Sequence, residues 1–267
     1  MKKNKLVKLV LGTIVLLLIG TGVVFSLVNK SKERGSDEKI AVLADNGMAI
    51  VSISSERKMI NTLVISPDVQ IWIPGGLGWY RSSAVKKILQ QEKKTDLFNK
   101  LLFYNLGFVA DKTVVLKNID DWKRKFWWQY FWNSGKMILK EEIIKKDIKE
   151  EGDLLDEVMI RDFSESKLIN EDIRLSIINT TNIDGLADFM ANNLERLGFS
   201  VISVGGETNN NGCQIVYGDK VKETFSWKVL KELIDCPQKE DLSLNEGEVE
   251  LYFDEKFASM IKYPSYK

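Results

Sequence analysis

The sequence predicts an α/β protein: an N-terminal transmembrane helix, then a mixed α/β domain, then a smaller α/β domain built on strand–helix–strand units. Three observations lead there. An uncharged run extends from Leu9 to Val28. Short β-rich segments between Ile40 and Ile73 flank turn signals. From Leu175 a strand pattern, a 3.6-period helix pattern and a second strand pattern follow in order.

The first element is the apolar run. Lys2, Lys3, Lys5 and Lys8 precede it, and Lys30, Lys32 and Arg34 follow. About 20 such residues at about 1.5 Å each cross a hydrocarbon core of about 30 Å. A cleavable signal peptide has a shorter apolar core and a small-residue cleavage site. Phe25-Ser26-Leu27-Val28 is a poor site, so residues 1–29 read as a short cytoplasmic tail and a retained anchor. The four lysines ahead of it favour a cytoplasmic N-terminus, with the rest of the chain outside. Residues 30–39 are polar and charged and read as a linker.

Residues 40–165 form the expected middle domain. Asp45-Asn46-Gly47 is a hairpin signal between Ile40–Leu43 and Met48–Ile53. Thr62–Ile65 and Val69–Ile73 read as strands around the turn Ser66-Pro67-Asp68. Gly75-Gly76-Leu77-Gly78 then breaks regular structure. Helices are predicted from Ser82 through Ile88 and from Asp96 to Leu106, with Gly107 as a C-terminal stop. Thr113–Leu116 reads as a strand. An aromatic helix follows, with Trp122, Phe126, Trp127, Trp128, Tyr130, Phe131 and Trp132. Its rings either fill a core or face a membrane or partner surface. Lys136–Glu157, dense in Lys and Glu, reads as an exposed helix broken near Gly152.

Residues 171–267 form the C-terminal domain. Leu175–Ile178 is a strand, and Asn182 or Asp184 can cap the helix carrying Leu186, Phe189, Met190, Leu194 and Leu197. Gly198 ends that helix, and Phe199–Val204 alternates as a strand. Gln214–Tyr217 and Glu248–Phe253 are strands, with a helix over Thr224–Leu233 between them.

Composition narrows the chemistry. Lys+Arg and Asp+Glu are each 38, so no net positive charge favours a nucleic-acid partner. There is no histidine, which excludes Ser-His-Asp and Cys-His catalysis within the chain. The two cysteines, Cys213 and Cys236, are too far apart for a CxxC motif. They can form one disulfide if this part lies outside the cytoplasm, or stand as two small apolar residues.

Ile177-Ile178-Asn179-Thr180, Gly185-Leu186-Ala187, Leu194 and Leu197-Gly198-Phe199 with Val201 resemble the C-terminal domain of the LytR-CpsA-Psr family, over about residues 173–258. Thr180 stands where that pattern usually has Gly. The middle part looks like a degenerate catalytic domain of the same family. Val64-Ile65-Ser66-Pro67-Asp68 is similar to its Pro-Arg-Asp turn with the arginine missing, and Ile71-Trp72-Ile73-Pro74 to its Ile-Pro strand. Asn46-Gly47-Met48 lies near where the family's Arg-x-Asp would fall. The resemblance implies binding of a polyprenyl-pyrophosphate-linked glycan, with Arg, Asp and usually Mg²⁺ serving its transfer to the cell wall.

Phosphate-directed residues are sparse. Asp68, Arg81, Gly76 and Gly78 are the candidate ligand-binding set: a carboxylate, a cation and a loop whose N–H groups can wrap an anion. No catalytic or metal-ligating residue is assigned. The expectation is a single-pass, extracytoplasmic protein of the bacterial cell envelope. It would have no catalytic centre or cofactor of its own and would bind cell-wall polymer or an envelope protein. The alternative is a Mg²⁺-dependent glycopolymer transferase, which needs Arg57, Arg81 and Asp68 to converge.

Overall fold

In a computed structural model, the described residues are 37–54, 57–92, 97–122, 124, 138–145, 152–207 and 212–261. The expected anchor, and the aromatic helix beyond Trp122 apart from Arg124, lie outside them. Among the described residues, no helix is long and apolar enough to cross a membrane.

The hairpin signal at Asp45-Asn46-Gly47 joins β1 (Glu38–Ala44) to β2 (Gly47–Ser54), paired from Ala44↔Gly47 to Glu38↔Ile53. Strand β3 (Met59–Ile65) continues the antiparallel meander. The edges, β6 (Lys112–Val115) and β7 (Ile138–Ile144), run parallel to β1 and β3. The sheet order is β6-β1-β2-β3-β7.

Two corrections arise here. The linker ends earlier than expected, since β1 begins at Glu38 and Lys39 is buried. The helix expected over Lys136–Glu157 is replaced at its start by β7, with α3 only from Gly152 to Asp162.

Both faces of this sheet are covered. Ala41, Leu43, Met48, Ile50, Leu63 and Ile65 pack on α1 (Ser82–Gln91), α2 (Leu97–Leu106) and α3. Ile40, Val42, Val51 and Ile60 pack on Ile119 and Trp122. Trp122 is therefore core, the outcome expected when a large ring meets an apolar sheet face.

A second five-stranded sheet has the order β11-β10-β12-β8-β9. Its strands are β8 (Arg174–Asn179), β9 (Ser200–Gly206), β10 (Gln214–Tyr217), β11 (Gln238–Glu240) and β12 (Glu248–Phe253). The predicted strand–helix–strand unit is β8–α5–β9, with α5 spanning Leu186–Leu197. Helices α6 (Phe225–Leu233) and α7 (Glu255–Ile261) complete the inner layer, and α4 (Ser166–Glu171) precedes β8.

The cap of α5 differs from expectation: Gly185, with φ 76°, occupies the N-cap position and no side chain caps it. Asn179 and Thr181 instead organise the preceding turn. Asn179 Oδ1 accepts from the Thr181 amide, and Thr181 Oγ1 accepts from the Ile183 amide, both at 2.9 Å. Thr180, where the family pattern has glycine, has no positive φ. Its hydroxyl donates to the Phe253 carbonyl at 3.0 Å, so its side chain is used.

From Asp37 onward the described residues form one compact unit. The join is made of named contacts. Trp72, Phe103 and Tyr104 from the first half belong to the same core cluster as Leu175, Met190 and Phe253. Asn105 is buried and replaces a strand partner for Trp72. Its Oδ1 accepts from the Trp72 amide at 3.0 Å, and its Nδ2 donates to the Trp72 carbonyl at 2.7 Å.

Candidate functional site

The predicted ligand-binding residues lie on one hairpin. Strand β4 (Gln70–Ile73) pairs antiparallel with β5 (Gly78–Arg81), placing Trp72 opposite Trp79 and Gln70 opposite Arg81. The glycine loop is therefore a turn between two strands. Gly75, Gly76 and Gly78 all have positive φ, 76°, 87° and 92°, which this turn requires of residues without a Cβ.

The base of the hairpin is fixed by serine. Buried Ser82 donates its hydroxyl to the Ser66 carbonyl at 2.6 Å, and Ser83 to the Pro67 carbonyl at 2.9 Å. This brings Asp68 beside Arg81, with Arg81 Nη1 3.4 Å from Asp68 Oδ1. Both side chains are largely exposed, at 70% and 83%. The arginine is open to an anion, but an incoming phosphate competes with Asp68 for it.

Arg57 does not join them. It follows β2, at the end of the sheet away from the Ser66-Pro67-Asp68 turn that follows β3. Its guanidinium donates to Asp37 Oδ2 at 2.5 Å and to the Arg161 carbonyl at 3.3 Å. The convergence that a transferase built on Arg57, Arg81 and Asp68 would need is not formed. Among the described residues, no group of three or more Asp, Glu or Cys side chains is placed to hold a metal ion.

Sequence reasoning missed a buried polar seam. Lys39, Ser52, Asn61 and Lys140 are lateral neighbours across β1, β2, β3 and β7. Glu165 and Asp162 close over them from the α3–α4 connection. Lys39 Nζ lies 3.4 Å from Glu165 Oε2 and 5.6 Å from the Phe108 ring centre. Burial holds the Lys39 ammonium below its usual range, and Glu165 opposes that shift. Lys140 Nζ donates to Asp162 Oδ2 at 2.6 Å. Burial pushes the Asp162 carboxyl up, but hydrogen bonds from Arg161 and Lys140 outweigh it and hold the group below the usual carboxylate range. Lys39, Ser52 and Asn61 are buried, and Lys140 is partly exposed at the edge of the seam. A lysine next to an apolar strand looks like a linker charge until its partner, 126 positions later, is known.

In the second half, Cys213 and Cys236 are joined as a disulfide, with Cα atoms 5.4 Å apart. A cleft of about 290 Å³ opens beside it, lined in part by Asp235, Asp254, Lys256 and Phe257. A larger cleft of about 490 Å³ lies between Glu171, Arg174, Lys220 and Glu246. Its two cations are paired: Lys220 binds Glu246 at 3.0 Å and Arg174 binds Glu248 at 3.3 Å.

Glu171 caps α6 from outside the helix. It accepts from the Phe225 and Ser226 amides at 2.8 and 2.7 Å and from the Ser226 hydroxyl at 2.6 Å. Burial raises its pKa, but those three donors outweigh it and leave the carboxyl below its ordinary value. A folded-state pKa below the unfolded one gives stability that is present above about pH 4.5 and lost as pH falls through the folded value. Thermal melts should therefore show the parent chain losing more stability than Glu171→Gln between about pH 5 and about pH 3. Equal losses would rule out the cap as a source of acid sensitivity.

Comparison with known proteins bears on the second sheet. Residues 172–257 match the family model described as LytR cell envelope-related transcriptional attenuator. The matched stretch is similar to the LytR-type C-terminal domain. Its limits fall within a residue of those read from the Asn179, Gly185 and Leu197-Gly198-Phe199 pattern. No match is found among curated proteins. Similar solved structures include a LytR-CPS2A-psr family protein, YwtF (TagT), with bound octaprenyl pyrophosphate lipid. It is 13% identical, covering 65% of this chain and 77% of that one, with a TM-score of 0.25. TagT of B. subtilis is 14% identical over 64% of this chain and 78% of that one, with a TM-score of 0.24. TagT bound to LIIa-WTA is also 14% identical, over 65% and 78%, at a TM-score of 0.24.

Proposed function

We propose that the chain is a membrane-anchored, extracytoplasmic protein of the bacterial cell envelope. In this reading it is non-catalytic and acts by binding cell-wall polymer or an envelope protein partner. The observation that carries the envelope role is the family match over residues 172–257. The uncharged run Leu9–Val28, basic on both sides, supports the anchor. The Cys213–Cys236 disulfide supports an oxidising compartment.

The non-catalytic part rests on geometry. Phosphoryl-group transfer needs several cations and metal-holding carboxylates aimed at the same oxygens. Here Arg57 is tied to Asp37, and Arg81 meets a single carboxylate, Asp68. The second reading, a Mg²⁺-dependent transferase, is favoured by one observation: Arg81 and Asp68 do stand together on the hairpin.

The test gives the full chain a polyprenyl-pyrophosphate-linked glycopolymer, Mg²⁺ and cell-wall acceptor. No turnover is expected, and Arg81→Ala and Asp68→Asn should change nothing. Mg²⁺-dependent transfer that either substitution abolishes would replace the first reading with the second.

A further inference from the structure

The polar seam under the α3–α4 connection holds four buried side-chain atoms that lack a hydrogen-bond partner within the described protein. They are Lys39 Nζ, Ser52 Oγ, Asn61 Oδ1 and Glu165 Oε1. Lys39, Ser52 and Asn61 are 2%, 0% and 2% exposed. As lateral neighbours on β1, β2 and β3 they share one face of the sheet. Two positions further along each strand, that face carries Ala41, Ile50 and Leu63, an apolar wall. On the other side stand buried Asp37 and Ser54, both bonded by the Arg57 guanidinium. Arg57 also donates to the Arg161 carbonyl, which closes that end. Asn61 Nδ2 is spent on the Asp162 carbonyl at 3.0 Å, so Oδ1 is its open acceptor.

Buried polar atoms without partners are costly, and native proteins satisfy nearly all of them. Here the chemistry of the four atoms specifies the partner. Lys39 Nζ only donates, Asn61 Oδ1 and Glu165 Oε1 only accept, and Ser52 Oγ does either. A cation at their centre would meet the Lys39 ammonium, and an anion would meet the Glu165 carboxylate. A small neutral molecule with two donors and two lone pairs suits all four. Lateral neighbours stand about 4.5–5.5 Å apart at Cβ, a gap that a single water bridges. We propose that the seam is an internal water site. One water accepts from Lys39 Nζ and Ser52 Oγ and donates to Asn61 Oδ1 and Glu165 Oε1. Buried waters make about three such bonds, so the site has partners enough. The water ties three strands to the α3–α4 connection, and Arg57 separates it from bulk solvent.

The test is a high-resolution crystal structure of the full chain in detergent, from crystals grown with rubidium chloride. The expected result is a density peak about 2.7–3.2 Å from at least three of the four atoms, with no anomalous rubidium signal. Asn61→Leu, close in size but without the acceptor, should lose the peak. If that variant does not fold, the density of the parent chain decides alone. Side chains that bond one another directly, with no peak between them, would overturn the proposal. So would a rubidium signal at that position, which would make it a monovalent-cation site, or a peak that Asn61→Leu leaves unchanged.

Discussion

Glu165→Leu should cost about 3–5 kcal/mol of folding stability, because it leaves the Lys39 ammonium buried without its anion. Both side chains are nearly inaccessible, at 3% for Lys39 and 10% for Glu165. Replacing both partners with apolar groups removes the unpaired charge, so Lys39→Met with Glu165→Leu should recover most of the loss. The pH dependence identifies the cause. Lys39 has a folded pKa below its unfolded value of 10.5. The unfolded chain then binds more protons, and stability rises with pH through the window between the two values. A neutral amine needs no counterion, so the cost of Glu165→Leu should shrink from about pH 7 to about pH 9.5. Urea denaturation of the two variants at both pH values checks this. A double variant no better than the single one would sink the ion-pair account.

Gly107→Ala should be comparably damaging for a steric reason. Gly107 follows α2 at φ +63°, and its missing Cβ would lie 2.5 Å from both the Asn193 carbonyl oxygen and Arg196 Cβ. The left-handed backbone alone costs an alanine about 1–3 kcal/mol, and overpacking against α5 adds about 1–3 more. The overlap is with main chain as well as side chain, so rotamer changes cannot relieve it. A destabilisation of about 3–5 kcal/mol is expected, together with weaker packing of Tyr104 on Phe189, now stacked at 6.2 Å. Denaturation read by tryptophan fluorescence measures the first, and Trp72 beside both rings reports the second. A loss below about 1 kcal/mol would mean that α2 and α5 can part freely.

Much of the fold was legible in local pattern. Asp45-Asn46-Gly47 located the first hairpin, and alternation in Glu248–Phe253 gave β12 at its observed limits. Thr224 caps α6 by accepting from the Trp227 amide at 3.1 Å, so the helix start read from the sequence also holds. β7 was misread because it is an edge strand half open on both sides. Leu139 and Ile143 are exposed while only Ile144 is buried, so no clean apolar stripe marks its period. Pairing with β3 then overrode the helical preference of its Lys and Glu residues.

The site was legible only in part. Asp68 and Arg81 do meet, because a turn aspartate and a strand-end arginine are close in sequence. The Lys39–Glu165 seam and the Asn105 bracket around Trp72 depend on residues brought together by the completed fold, and no local pattern announces them.

The Asn105 bracket has a consequence for how this chain can be modified by recombination. A C-terminal bead that could be exchanged at the preceding loop would share no core with the residues before it. In this protein the bead is not round: Trp72 and Tyr104 fill a socket in it, and Asn193 and Arg196 reach back for main-chain carbonyls at Tyr104 and Asn105. A chimera joined near residue 170 would import a foreign socket to meet a native plug. Exchange between relatives should travel as a unit that includes β4 and α2, so that lineages replace both halves together or neither.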